Sequence, residues 1–203
     1  MEIVYTKMQG AGNDFIVIDN RRYNFSSKQL AKLAAQVCQR KFSIGADALM
    51  AVDHPEGTGD FRMRFYNADG TEAEMCGNGA RCIARYAYEN KVASEAMVIE
   101  TVAGPVPAWR LDRQQYKVTL NPPTVAKFDQ PFADREVPVV DYIELGDPGI
   151  PHAVVKYPGL QETSLDALTD LAQRIRYWSA FPKGANVNFY DADSACLLYT
   201  SDA

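Results

Sequence analysis

Apolar and polar residues alternate along much of the first half of the chain, in short runs bounded by Gly, Asn or Pro. EIVYT (2–6), FIVID (15–19), DALMAVD (47–53) and DFRMRFYN (60–67) are β-branched or alternating, and each predicts a strand. The period changes between the second and third runs. Leu30, Leu33, Ala34, Val37 and Cys38 recur at i, i+3, i+4, i+7 and i+8, one apolar stripe of a helix that Ser26 and Gln29 open as a capping box. Cys38 therefore belongs to the core. MVIETV (97–102), VPAWRL (106–111) and YKVTL (116–120) predict a meander of strands that stops at the Asn-Pro-Pro of 121–123, a domain boundary. Beyond it, VPVVDYIEL (137–145) and HAVVKY (152–157) predict strands. A helix from Ser164 follows, with Leu165, Leu168, Leu171, Ala172 and Ile175 on one face, and then a strand in ANVNFYD (185–191). The reading is a mixed α/β (α+β) fold in two domains, 1–121 and 122–203, whose shared order of strands around a helix suggests two similar halves.

Composition adds limits. With 203 residues and 47% apolar content, the chain fills one large domain or two small ones. The net charge of -5 arises from 26 acidic and 21 basic residues that are interspersed, without the basic cluster that nucleic acid or an anionic membrane would require. The expected partner is a small molecule. No apolar run approaches the ~18 residues of a membrane span, and the N-terminus lacks the charged and apolar regions of a secretory signal, so a cytoplasmic protein is expected. Cys38, Cys76, Cys82 and Cys196 are too few for a disulfide framework, and His54 and His152 stand without ligand-like neighbours, so no metal is expected.

The chemistry concentrates in EMCGNGARC (74–82). Residues 78–90 read as a helix that is apolar on nearly every side, and Cys76 precedes its first turn. Unpaired N–H groups and the positive end of the helix dipole favour an anion there, whether a thiolate or a carboxylate. Gly77 and Gly79 let a ligand approach the backbone, and Asn78 adds a hydrogen-bonding amide. Two chemistries remain open at this point. A nucleophilic thiol needs a histidine base, for which His152 in PHAVV is the candidate. An acid–base thiol that moves a proton at carbon needs an anchored carboxylate and an opposed second acid. Asn13, Asn67 and Asn186 fall at strand ends or loops where a substrate can be held, though each alone reads equally as a turn residue.

Taken in order, MQGAGNDFIVID (8–19), SIGAD (43–47), FYNADGTEAEMCGNGAR (65–81), PHAVV (151–155) and FPKGANVNF (181–189) resemble the diaminopimelate epimerase family, a likeness that runs to about residue 191. The resemblance implies two similar domains, each a mixed sheet wrapped around a central helix, with the active site in the cleft between them. It implies inversion of one α-carbon without a cofactor, converting LL-diaminopimelate to the meso form for lysine and cell-wall synthesis. One thiolate removes the α-proton while a thiol on the far side returns one. Cys76 would be one of that pair, and Gly77 with Asn78 would bind the reacting carboxylate. Asn13, Asn67 and Asn186 would hold the substrate's amino-acid ends, with His152 near the site, and a homodimer is expected of the full-length protein.

Departures from the family pattern bear on these expectations. Ala48 stands where some members carry glutamine, so no side-chain contact comes from it, and Ile150 stands where members often carry asparagine, so one substrate contact is either missing or supplied by the inserted-looking Gly-Asp-Pro-Gly of 146–149. The Glu-Arg-Gly and Ala-Cys-Gly elements, which supply a substrate-binding pair and the second cysteine, do not occur. Cys196 lies instead in SACLLYTSDA, and CLLYTSDA matches the translation of a transposon adapter used in sequencing libraries. Residues from about 196 are therefore expected to be adapter-derived. The second domain is expected to be incomplete, and the chain as it stands unable to invert its substrate. Two other readings are a related cofactor-independent racemase acting on proline or hydroxyproline, and a noncatalytic amino-acid-binding protein.

Overall fold

The computed structural model describes residues 2–135, 137–147, 149–193 and 196–202, with residues 192, 193 and 196–202 described by backbone alone. The chain divides into two compact units, Met1–Asn121 and Pro122–Ala203.

In the first unit the chain runs β1 (Tyr5–Gly10), β2 (Asn13–Asp19), α1 (Ser27–Val37), β3 (Ala48–Asp53), β4 (Phe61–Asn67), β5 (Glu72–Ala73), α2 (Gly77–Glu89), β6 (Ala96–Thr101), β7 (Gly104–Arg110) and β8 (Tyr116–Val118). The sheet order is β1-β2-β3-β4-β6-β7-β8, with β5 beside β4. The two-residue period of the strands divides the apolar residues between two helices. Phe15, Val17, Met50, Val52, Met63 and Phe65 pack with Ala80, Ile83 and Ala84 of α2. Ile16, Ile18, Leu49, Ala51 and Tyr66 pack with Leu30 and Ala34 of α1 and with Cys38, which is buried as its stripe predicts. Strands β1, β2, β3, β6, β7 and β8 all touch α2, so the sheet curls around it. That enclosure explains a helix apolar on several sides rather than along one stripe.

Strand β1 is displaced from its expected place, 2–6, because its ladder with β2 runs from Tyr5 opposite Ile18 to Gly10 opposite Asn13. Its sequence, YTKMQG, is polar because it lies at the sheet edge. The join between β4 and β6 is short: their ladder pairs Phe61 with Ile99 and Arg62 with Glu100. Carboxylates extend it. Asp60 accepts the Val98 N–H at 2.7 Å, and Glu100 accepts the N–H groups of Glu56, Gly57 and Gly59 at 2.7–2.9 Å.

The second unit runs β9 (Pro123–Pro131), β10 (Val139–Leu145), β11 (Ile150–Lys156), α3 (Leu165–Arg176), β12 (Asn186–Asp193) and β13 (Cys196–Asp202), in the order β13-β12-β11-β10-β9. Val140, Tyr142, Ala153, Val155, Val187 and Phe189 meet Leu168, Leu171, Ala172 and Ile175 of α3. Leu165, expected on that apolar face, is exposed. It occupies the first helical position, at the end of the stripe. Strand β9 was not predicted, since a proline opens it and nearly all of its residues are exposed; both are compatible with an edge strand.

The two units share a chain order. An antiparallel pair (β1–β2), a parallel crossover through a helix (β2–α1–β3) and a second antiparallel pair (β3–β4) recur as β10–β11, β11–α3–β12 and β12–β13. Helix α3 thus takes the place of α1.

Candidate active site

Helix α2 starts unlike the other two. At α1, Gln29 Oε1 accepts the Ser26 N–H at 2.9 Å, and at α3, Ser164 Oγ accepts the Ala167 N–H at 3.3 Å. At α2 the capping position is Cys76, extended at φ -134° and ψ 123°, and no side chain caps the helix. Its first N–H groups, from Gly77 and Asn78, therefore point forward without a side-chain acceptor. Cys76 is half-buried.

The two glycines of the motif have different reasons. A Cβ on Gly79 would lie 3.0 Å from Met50 Sδ and 3.2 Å from Phe65, because α2 sinks into the sheet there. Gly79 is therefore a packing residue, which corrects the expectation that it admits a ligand. A Cβ on Gly77 would meet only the mobile end of Leu120 at 3.2 Å, so nothing on the core side explains that glycine and close approach of a ligand still does.

Two turns bring the first-unit asparagines to strand ends. Ala11 and Gly12 both take positive φ, as a two-residue hairpin turn requires, and place Asn13 at the start of β2. Asn13 Oδ1 accepts the Asn78 amide at 2.7 Å, so the turn and the start of α2 are joined side chain to side chain. Asn67 ends β4, its amide donating to Thr71 Oγ1 at 3.0 Å in a turn that Gly70 makes possible at φ +88°. The Ala68 N–H donates to the Asp47 carbonyl at 3.1 Å, which anchors this turn beside the start of β3.

In the second unit, His152 and Asn186 are opposite each other on the parallel strands β11 and β12. Asn188 Nδ2 lies 3.3 Å from His152 Nδ1 and also donates to the carbonyls of Asn186 at 3.0 Å and Ala153 at 3.2 Å. Burial holds His152 below the ordinary value of 6.5. The unfolded chain therefore takes up this proton first as pH falls, so the stabilisation is complete above about pH 6.5 and is lost below it. Urea midpoints measured from pH 8 to pH 5 are expected to fall less steeply in His152→Gln than in the parent chain.

Other thiols are poor candidates for chemistry. Cys38 and Cys82 are 2% and 5% exposed, and burial pushes both up to about 11, which keeps them protonated at neutral pH. The Cys196 side chain, and with it the reading of the last residues as adapter-derived, lies outside the described residues. Among the described residues no group of His, Cys, Asp or Glu is arranged to hold a metal, and no helix is long and apolar enough to cross a membrane.

Comparisons with known proteins give the family and the fold. The model of the family described as diaminopimelate epimerase matches residues 5–125. Diaminopimelate epimerase of Hydrogenobaculum sp. (strain Y04AAS1) is 38% identical over 205 residues, spanning 92% of this chain and 69% of the relative. That of Halothermothrix orenii is 36% identical over 219 residues, spanning 96% and 73%. A solved structure of a phenazine biosynthesis protein PhzF family member from Enterococcus faecalis matches with a TM-score of 0.67 at 11% identity, covering 99% of this chain and 73% of that one. A predicted epimerase from Pseudomonas aeruginosa matches at 0.59 and 11%, covering 95% and 70%. At such identities the structures speak for the fold alone, whereas the sequence relatives carry the family: this chain belongs to the diaminopimelate epimerase family.

Proposed function

We propose that this chain carries the Cys76 half of a cofactor-free interconversion of LL-2,6-diaminopimelate and meso-diaminopimelate, in which Cys76 is one of two acid–base thiols. The observation that carries the reading is the start of α2, where a half-buried cysteine takes the capping position and no side chain occupies the helix N-terminus. An α-carboxylate bound by the Gly77 and Asn78 N–H groups would put the α-carbon beside Sγ. The thiolate takes the α-proton, and the electron pair left on carbon delocalises into the carboxylate that those N–H groups stabilise. A thiol on the opposite face returns a proton, which inverts the centre. Asn13, Asn67, Asn186 and His152 hold the substrate's polar ends. Their groups are uncharged, so they orient it by hydrogen bonds without fixing its charge.

The test is proton exchange in D2O, followed by mass spectrometry and NMR. The chain is expected to place deuterium at the α-carbon of one stereoisomer with retention, since among the described residues the other thiols, Cys38 and Cys82, are buried and offer no second acid. Conversion of LL into meso by this chain would show that it contains the second acid. Calorimetric binding of diaminopimelate without exchange would remove the acid–base role of Cys76, and absence of binding would remove the substrate.

A further inference from the structure

Asn13 and Asn78 belong to a longer line of hydrogen bonds. Arg40 donates to Asp47 Oδ1 at 2.8 Å, and Asp47 Oδ2 accepts Asn13 Nδ2 at 3.3 Å. Asn13 Oδ1 accepts Asn78 Nδ2 at 2.7 Å, and Asn78 Oδ1 accepts from Arg81. The two ends differ in kind, since a carboxylate only accepts and a guanidinium only donates. An amide pair by itself bonds equally well in either direction. Between Asp47 and Arg81 only one direction satisfies every member, and it turns the Asn13 NH2 toward β3 and the Asn78 carbonyl toward Arg81.

Asp47 is itself held in place. Its carboxylate accepts the Asp14 N–H at 3.0 Å while Asp14 accepts the Asp47 N–H at 3.0 Å, so each carboxylate caps the start of the other's strand. Arg40 bridges both, and Lys7 pairs with Asp14 at 2.9 Å. Desolvation alone would raise Asp14, but the hydrogen bonds from Arg40 and Lys7 outweigh it and hold the carboxyl well below the usual range. Asp14, so held, and Arg40 between the two carboxylates fix the Asp47 carboxylate where it accepts from Asn13.

We propose that Asp47 and Arg81 are positioning residues that set the amide directions of Asn13 and Asn78, and so decide which N–H groups face a bound amino acid. The inference rests on the epimerase reading for the identity of the ligand, but not for the state of the amides.

The experiment uses the full chain labelled with 15N-asparagine. Asp47→Asn keeps the shape but gives that end a donor as well as an acceptor, and Arg81→Met removes the donor at the other end. Each is expected to shift or broaden the side-chain NH2 signals of Asn13 and Asn78 and to weaken diaminopimelate binding by about tenfold, the cost of one misdirected polar contact. Arg81→Lys, which stays donor-only, is expected to recover most of what Arg81→Met loses, a rescue that a merely packing role would not produce. Unchanged amide signals and an unchanged Kd in Asp47→Asn and Arg81→Met would overturn the proposal. If the parent chain binds no diaminopimelate, the functional reading fails, while the amide signals still decide this one.

Discussion

Cys76→Ser is expected to slow α-proton exchange by about 10³-fold, the scale of a lost acid–base group, while leaving the protein as stable as its parent or more so. The two effects have opposite signs for a physical reason. Cys76 stands at the capping position of α2 without capping it. Serine is among the preferred residues there, and its Oγ would accept a first-turn N–H, adding about 0.5–1 kcal/mol. Its hydroxyl, however, does not ionise near neutral pH, so it cannot take the proton. Deuterium incorporation and thermal unfolding of the two proteins read both effects. A variant that lost stability in proportion to its rate would assign Cys76 to packing.

The largest structural effect is expected at Gly70. Gly70→Ala places a Cβ at φ +88°, 2.6 Å from the Ala31 carbonyl oxygen, where a backbone atom and not a mobile side chain must yield. Strain plus displacement of α1 should cost about 3 kcal/mol. Gly12→Ala is the internal comparison: its φ is +92°, but nothing lies within 4 Å, so the backbone penalty of about 1 kcal/mol stands alone. Urea unfolding of the two variants separates the contributions. Equal losses would mean that α1 moves aside freely. Because the Gly70 N–H donates to the Asn67 carbonyl at 2.9 Å, the first variant is also expected to disturb the asparagine at the end of β4.

Those glycines show where sequence reading ends. The apolar periods disclosed α1, α2, α3 and the strands of the core, since burial dictates them locally. Strand β9 carried no such signal, because an exposed edge imposes no alternation. Leu165 lay on a correct stripe at a helix end, a position that periodicity does not weigh. Within the site, CGNGAR identified Cys76 and its helix, yet Gly77 and Gly79 look alike in sequence and differ only in what lies beyond the missing Cβ. The line from Arg40 and Asp47 through Asn13 to Asn78 and Arg81 joins segments more than sixty residues apart at its middle link, where no spacing rule applies.

The short join between β4 and β6 has a consequence for how the first unit comes apart. Strands β6, β7 and β8 form a flap that the rest of the sheet holds by two ladder pairs, the hydrogen bond from the Asp60 N–H to the Val98 carbonyl, two stitching carboxylates and the flank of α2. A flap so attached opens as one cooperative piece before the strands on the other side of α2 release, and its amides exchange with solvent sooner than those of β2 and β3. Acid loosens it further: Glu100, whose carboxyl the N–H groups of Gly59, Glu56 and Gly57 hold below 4.5, gives up its contribution as pH falls through that lowered value. The helix that bears Cys76 thus has one side from which it is first uncovered.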